Sequence, residues 1–243
     1  MKIIAKRLES DSGKNTDTII DSKPTNNEIS GLDKPNEDRL YENQDIKQLL
    51  PIKNLNKAFG NLTVFKGFNS EILSGAVNAI LGPSGGGKTT LLRILMGLEK
   101  ADYDELPIEG AKYACVFQED RLCGHLSAFK NIEMVRGSNI ENSEILVALS
   151  DVGLKDHEFK PVRELSGGMK RRVAIIRALL SDYDILVLDE PFKGLDETLR
   201  KEVMAYVREK TSGKTVLFVT HEPEEVEAMG AKHSIFVNQL ISR

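Results

Sequence analysis

Cysteine is scarce, long apolar runs are missing and basic charge is not in excess, and each of these absences removes a class of function. Cys115 and Cys123 are the only two cysteines in 243 residues. They have neither C-x-x-C spacing nor a neighbouring histidine pair, so they read as reduced thiols rather than zinc ligands. Cys115 falls in the apolar stretch Tyr113-Ala114-Cys115-Val116-Phe117 and is expected in a core strand. No apolar run approaches the roughly 18 to 20 residues that a bilayer span needs, and the N-terminus lacks a signal peptide's apolar segment. The chain is therefore expected to be made and kept in the cytoplasm. A net charge of −4 gives no basic footprint, so nucleic acid is not an expected partner.

What is present is ordinary globular material, 40% hydrophobic and 29% charged, enough for one large α/β domain or two small ones. Residues 1–48 differ from the rest in holding mainly Asp, Asn, Ser, Lys and Thr, with Pro24 and Pro35 as breakers. They read as a mostly disordered polar extension, with short helices near Ile3 to Leu8 and Tyr41 to Leu50. From Pro51 onward strands and helices alternate, which predicts an α/β layer architecture with a mostly parallel sheet. Ile52 to Phe59 and Val64 to Ile72 read as a pair of edge strands joined through Gly60-Asn61. A mostly helical stretch is expected from Asn131 to Val152, with Ile132, Val135, Ile145, Ala148 and Leu149 at its apolar positions. Ile185 to Leu188 and Val216 to Val219 are short continuous apolar runs, the pattern of parallel strands buried on both faces.

The chemistry gathers where such strands end. Val77 to Leu81 runs into Gly82-Pro83-Ser84-Gly85-Gly86-Gly87-Lys88-Thr89, which fills the pattern G-x-x-x-x-G-K-[ST] and is followed by a helical pattern from Thr90 to Met96. Glycines let successive N–H groups point into one concavity, and the helix adds its positive dipole end, so a phosphate chain is the expected occupant. Lys88 would reach the β- and γ-phosphates, with the Thr89 hydroxyl on Mg²⁺. The second strand delivers Asp189-Glu190 and the third Thr220-His221, both at carboxyl ends, where open α/β sheets place ligands. Asp189 would hold Mg²⁺ through its water shell, and Glu190 would orient an attacking water.

Between these lies Leu165-Ser166-Gly167-Gly168-Met169, followed by Lys170-Arg171-Arg172-Val173-Ala174. Here the chain resembles the ATP-binding cassette (ABC) ATPases, whose signature LSGGQ opens such a helix; Met169 replaces the usual Gln. The resemblance covers about residues 50–243 and implies a P-loop NTPase (RecA-like) core, a small antiparallel β subdomain and an inserted α-helical subdomain near residues 119–162. The ATPase domain is then 49–243. It also implies ATP with Mg²⁺ as ligands. Phe59, 29 positions before Lys88, matches the aromatic that stacks on adenine. Gln118 matches the Q-loop glutamine near Mg²⁺ and water, Gly194-Leu195-Asp196 the D-loop, and His221 the switch histidine at the γ-phosphate. The nucleotide-binding set is then Phe59, Gly82 to Thr90, Ser166, Gly167, Gly168 and Asp196.

Two further implications concern partners. In this family the signature of one subunit faces the phosphate loop of another, so a second ATPase subunit, as a homodimer or a related pair, is expected. The stretch 118–132 is similar to the segment that receives an integral-membrane permease. Within the family it is most similar to nitrate, sulfonate and taurine importers, which implies a small anionic solute, a solute-binding protein acting indirectly, and a peripheral place on the cytoplasmic membrane face. The interval from Lys88 to Gln118 is 30 residues, short for the family, so a trimmed antiparallel subdomain is expected. No appended regulatory domain is expected in the 22 residues after His221. A soluble ATPase of the same family, as in cluster assembly, is the alternative; a module without turnover conflicts with Glu190, Gln118 and His221. The run Lys170-Arg171-Arg172 reads as a solvated or interface face, and Met169, Val173, Ile176 and Leu180 as a packing stripe.

Overall fold

The computed structural model describes residues 48–106 and 110–238, all within one unit spanning Asp45–Arg243. The expected extension at residues 1–47 lies outside the described residues. The first two strands, β1 (Leu49–Phe59) and β2 (Leu62–Leu73), form a two-stranded antiparallel sheet of their own rather than edge strands of a larger one. Leu49 and Leu50 open β1, so the helix expected to reach Leu50 gives way to strand there. Gly60, at φ 56°, supplies the left-handed turn between them. Among the described residues the sheet is extended only by isolated bridges from Lys53 to Glu105 and Asn56 to Asp102.

The main sheet holds β3 (Val77–Leu81), β4 (Tyr113–Val116), β5 (Ile185–Asp189), β6 (Thr215–Val219) and β7 (His233–Phe236) in the order β4-β5-β6-β3-β7, parallel throughout. Every residue of β5 and β6 is buried, because helices cover both faces. Their side chains divide by the strand period of two. Leu186, Leu188, Val216 and Phe218 pack toward α2 (Ala128–Glu133), α3 (Asn142–Asp151), α4 (Gly167–Leu179) and α5 (Glu197–Lys210). Ile185, Val187, Leu217 and Val219 pack toward α1 (Lys88–Leu95) and the β1–β2 ribbon. Each such side chain contributes about 1.5–3 kcal/mol when fully buried.

Polar side chains also enter the core, and Asn78 shows how they are satisfied. Asn78 in β3 is wholly buried; its Oδ1 accepts from the Leu73 amide at 2.7 Å, and its Nδ2 donates to the carbonyls of Leu73 and Ala76, both at 3.0 Å. It fastens the end of β2 to the strand that feeds the glycine loop.

The stretch expected to be helical from Asn131 to Val152 is two helices, α2 and α3, broken over residues 134–141. Arg136 turns its guanidinium onto the Ile140 carbonyl at 2.6 Å, and the Gly137 amide bonds to Leu180. Val135 is consequently exposed, against the expectation, whereas Ile132, Ile145, Ala148 and Leu149 are buried. α3 starts at a reciprocal cap between Glu141 and Glu144. A 3-10 turn (Val162–Glu164) leads to α4, and α6 (Pro223–Ala228) precedes β7. Among the described residues no helix is long and apolar enough to cross a membrane.

Candidate functional site

The glycine loop leaves β3 and curls back on itself. Gly82, at φ 149°, lies so close to Val237 that a Cβ would stand 2.0 Å from that residue's carbonyl oxygen. Gly87, at φ 97°, would place one 2.8 Å from Val64 Cγ1. Neither position admits a side chain, and the backbone is thereby free to approach a ligand. The loop closes through a Gly86 amide bond to the Pro83 carbonyl, while Lys88 Nζ donates to the carbonyls of Gly82 and Pro83, each at 2.9 Å. Burial lowers the Lys88 ammonium's pKa, and the nearby carboxylates of Glu190 and Asp189 oppose that shift.

A cavity of about 480 Å³ opens over this loop. Into it face Phe59, Leu62 and Val64 of the ribbon, Ser84, Gly85, Gly87, Lys88, Thr89 and Thr90 of the loop and α1, Gln118 after β4, Asp189, Glu190 and Lys193 after β5, and His221 after β6. Gly82, Pro83 and Gly86, expected among the binding residues, do not line it. Phe59 stands exposed at the tip of β1 with Lys57 Nζ 4.4 Å from its ring centroid. Its ring borders the cavity.

The oxygens that could take a cation sit together. Thr89 Oγ1 donates to Asp189 Oδ2 at 3.1 Å, and Gln118 shares their cavity. Burial raises the Asp189 carboxyl's pKa, with the Thr89 bond acting the other way, so a cation alongside would favour the ionised form. The described residues contain no cluster of three or more His, Cys, Asp or Glu side chains that could cage a metal. One carboxylate and one hydroxyl beside a phosphate cradle instead fit Mg²⁺, which binds through few protein oxygens plus substrate phosphates.

Glu190 follows at a backbone φ of 48°, unusual for a residue with a side chain. This left-handed turn directs its carboxylate into the cavity, where His221 Nε2 lies 2.8 Å from Oε1 and Lys193 Nζ 2.9 Å from Oε2. The Lys193 hydrogen bond, foremost, holds the Glu190 carboxyl below the usual range. Lys193 was not foreseen from sequence; its place three residues after Glu190 is the signal that could have found it.

Ser166, Gly167 and Gly168 lie outside this cavity. Ser166 caps α4, its Oγ accepting from the Met169 amide at 3.3 Å, and a Cβ on Gly168 would lie 3.5 Å from Leu195 Cδ2. Asp196 likewise caps α5, accepting from Leu199 at 3.0 Å. The loop and the signature are thus separate surfaces of one subunit.

The basic run on α4 departs most from the sequence reading. Arg171 and Arg172 are buried, not solvated. Arg172 Nη1 donates to the carbonyls of Val152 at 2.6 Å and Gly153 at 2.9 Å, closing the end of α3. Arg171 reaches the carbonyls of Phe117 and Glu190. Carbonyls from distant elements receive both guanidiniums, and no local pattern announces that. The packing stripe is as expected: Val173 and Ile176 are wholly buried, with Met169 and Leu180 packed alongside.

Comparison with known proteins agrees with this geometry. Residues 65–193 match the family model described as ABC transporter. The chain is 35% identical over 200 residues to the spermidine/putrescine import ATP-binding protein PotA of Bacteroides fragilis, covering 75% of this chain and 43% of that protein. It is 37% identical over 194 residues to the Spiroplasma citri protein of the same name, covering 73% and 55%. The chain thus spans about half the length of the curated relatives it matches. Among solved structures, the dimeric post-hydrolysis state of the ATP-binding cassette MJ0796 bound to ADP and Pi superposes with a TM-score of 0.67 at 27% identity, covering 78% of this chain and 94% of that one. The family model and these relatives together show that the chain belongs to the ABC transporter family.

Proposed function

We propose that this chain is the ATP-hydrolysing subunit of an ABC importer, coupling ATP-driven pairing of two such subunits to an integral-membrane permease on the cytoplasmic face. The observation that carries the reading is the single cavity in which the glycine loop, the Thr89–Asp189 pair and the Glu190–His221 pair converge.

The adenine stacks on Phe59, and the phosphates lie along the loop amides. Lys88 exchanges its bonds to Gly82 and Pro83 for bonds to the β- and γ-phosphates. Thr89, Asp189 and Gln118 would hold Mg²⁺, which when bound would neutralise phosphate charge. Glu190 orients water against the γ-phosphorus; the bond to the β-phosphate oxygen breaks, ADP leaves, and the water's proton passes to the carboxylate. His221 holds Glu190 and contacts the γ-phosphate. This division suits phosphoryl transfer, where positioning and charge stabilisation supply most of the catalysis.

Ser166, Gly167 and Gly168 complete the site of a second copy, since they stand away from their own loop, and Asp196 lies beside them across that interface. Residues 49–243 form the ATPase unit, with 119–162 as its helical part and 1–48 as a polar extension. The solute follows the permease and its binding protein. A small anion, as the 118–132 stretch implied, has no support among the relatives described above, whose names specify polyamine import; a cationic solute is the better expectation.

Phosphate release from the purified chain with Mg-ATP tests the activity, and recovery of a multispanning protein with it from solubilised membranes tests the coupling. Turnover with no membrane partner recovered would favour the soluble ATPase alternative.

A further inference from the structure

Glu190 holds a conformation that its neighbours must enforce. Residues with side chains rarely occupy positive φ, and one is kept there only where surrounding bonds fix it. Its amide donates to the Val219 carbonyl at 3.0 Å. Its carbonyl accepts from Arg171 Nη2 at 2.7 Å. The other arm of the same guanidinium, Nη1, donates to the Phe117 carbonyl at 2.5 Å and to Asp120 Oδ1 at 3.0 Å, gripping the residues on both sides of Gln118. The Arg171 side chain is 5% exposed, so these bonds compete little with water.

A second arginine on the same helix reinforces the grip. Arg177 Nη1 donates to the Arg121 carbonyl at 2.8 Å and Nη2 to that of Asp120 at 3.0 Å. Arg121 itself lies 4.0 Å over the Phe117 ring. The loop bearing Gln118 is therefore fastened to α4, the helix that begins at Ser166.

We propose that Arg171 is a positioning residue for ATP hydrolysis, holding the Glu190 backbone and the Gln118 loop in register with the signature helix. This inference rests on the ATPase reading above. Arg171 stands on the helix whose N-terminus Ser166 caps, so its guanidinium joins that helix to the chain's own water-orienting residue. One side chain thus links the site a subunit completes for its partner to the site it uses itself.

The planar fork is required, because two carbonyls and a carboxylate are bonded in different directions; a lysine keeps the charge but loses that geometry. The test compares the full chain with Arg171→Lys, Arg171→Gln and Arg136→Lys, the last removing a guanidinium that bonds the Ile140 carbonyl between α2 and α3. Initial rates against Mg-ATP give kcat and KM, binding of a fluorescent ATP analogue gives affinity, and melting gives stability. Arg171→Lys is expected to lose about tenfold or more in kcat. Its KM and analogue affinity stay within about twofold of the unmodified chain. Arg136→Lys is expected to lower the melting temperature while leaving the kcat of the folded protein in place. If Arg171→Gln does not fold, Arg171→Lys decides. An active unmodified chain whose Arg171→Lys variant keeps its kcat, or loses no more than Arg136→Lys does, overturns this inference alone. An unmodified chain without ATPase activity overturns the functional reading and this inference with it.

Discussion

Ser166 has two roles that substitution can separate. In the isolated chain its Oγ caps α4 through a single 3.3 Å bond from Met169, and the first turn of that helix carries no acidic residue. Ser166→Ala removes the cap, worth about 1 kcal/mol. In a domain of this size that lowers Tm by roughly 2–4 °C. Ser166→Asp keeps a good cap and adds a negative charge at the helix N-terminus, worth about 0.3–1 kcal/mol in its favour. The nucleotide-free Ser166→Asp chain should therefore melt at or above the unmodified one. In the proposed dimer the same carboxylate faces the partner's γ-phosphate. Two like charges ~4 Å apart at an effective dielectric near 20 repel by about 4 kcal/mol, close to a thousandfold in association. Melting without nucleotide, and sedimentation with ATP and Mg²⁺ in a Glu190→Gln background, measure the two effects separately. The reasoning is refuted if Ser166→Asp melts well below Ser166→Ala, or if it dimerises with ATP as readily as the chain with Ser166.

Three further outcomes are expected. Gly87→Ala forces a Cβ to 2.8 Å from Val64 Cγ1 at φ 97°, so it should cost at least the roughly 1–3 kcal/mol of an overpacked site and impair ATP binding; unchanged melting and affinity contradict the loop geometry. Phe59→Ala should weaken binding of a fluorescent ATP analogue by about tenfold, within the usual range for a base on an aromatic ring, whereas Phe59→Tyr should preserve it; equal affinities in both variants remove adenine stacking. Glu225 concerns pH. Its carboxyl is buried, and burial, opposed by the Thr220 hydroxyl at 2.6 Å and by Arg200, raises its pKa in the folded chain. A raised folded pKa favours folding below the unfolded value and loses that contribution as pH climbs through the folded value. Glu225→Gln should therefore gain in Tm relative to the unmodified chain between pH 4 and pH 7; parallel Tm profiles contradict it.

How much could be read beforehand follows from where each signal originates. The strands β3, β5 and β6 are continuous apolar runs because both faces are covered, so the sequence carries their whole environment. The glycine loop is legible for a similar reason, since backbone conformation and close approach demand glycine locally. β7 was not anticipated: His233, Ser234, Ile235 and Phe236 mix polar and apolar residues, and Phe236 is exposed at the sheet's edge. The helix predicted through Val135 failed where tertiary bonds at Arg136 and Gly137 took the chain elsewhere. Arg171 and Arg172 were misread as solvated because a charge run says nothing of the carbonyls that meet it. Lys193 is different, since its place three residues after Glu190 is a local signal.

In the proposed function one subunit's glycine loop and another's signature close on shared ATP and part after hydrolysis. Glu190→Gln should bind ATP without turning it over, and with ATP and Mg²⁺ it should shift on size exclusion to the dimer position. It should return to monomer with ADP. A variant that binds ATP yet remains monomeric would contradict the account.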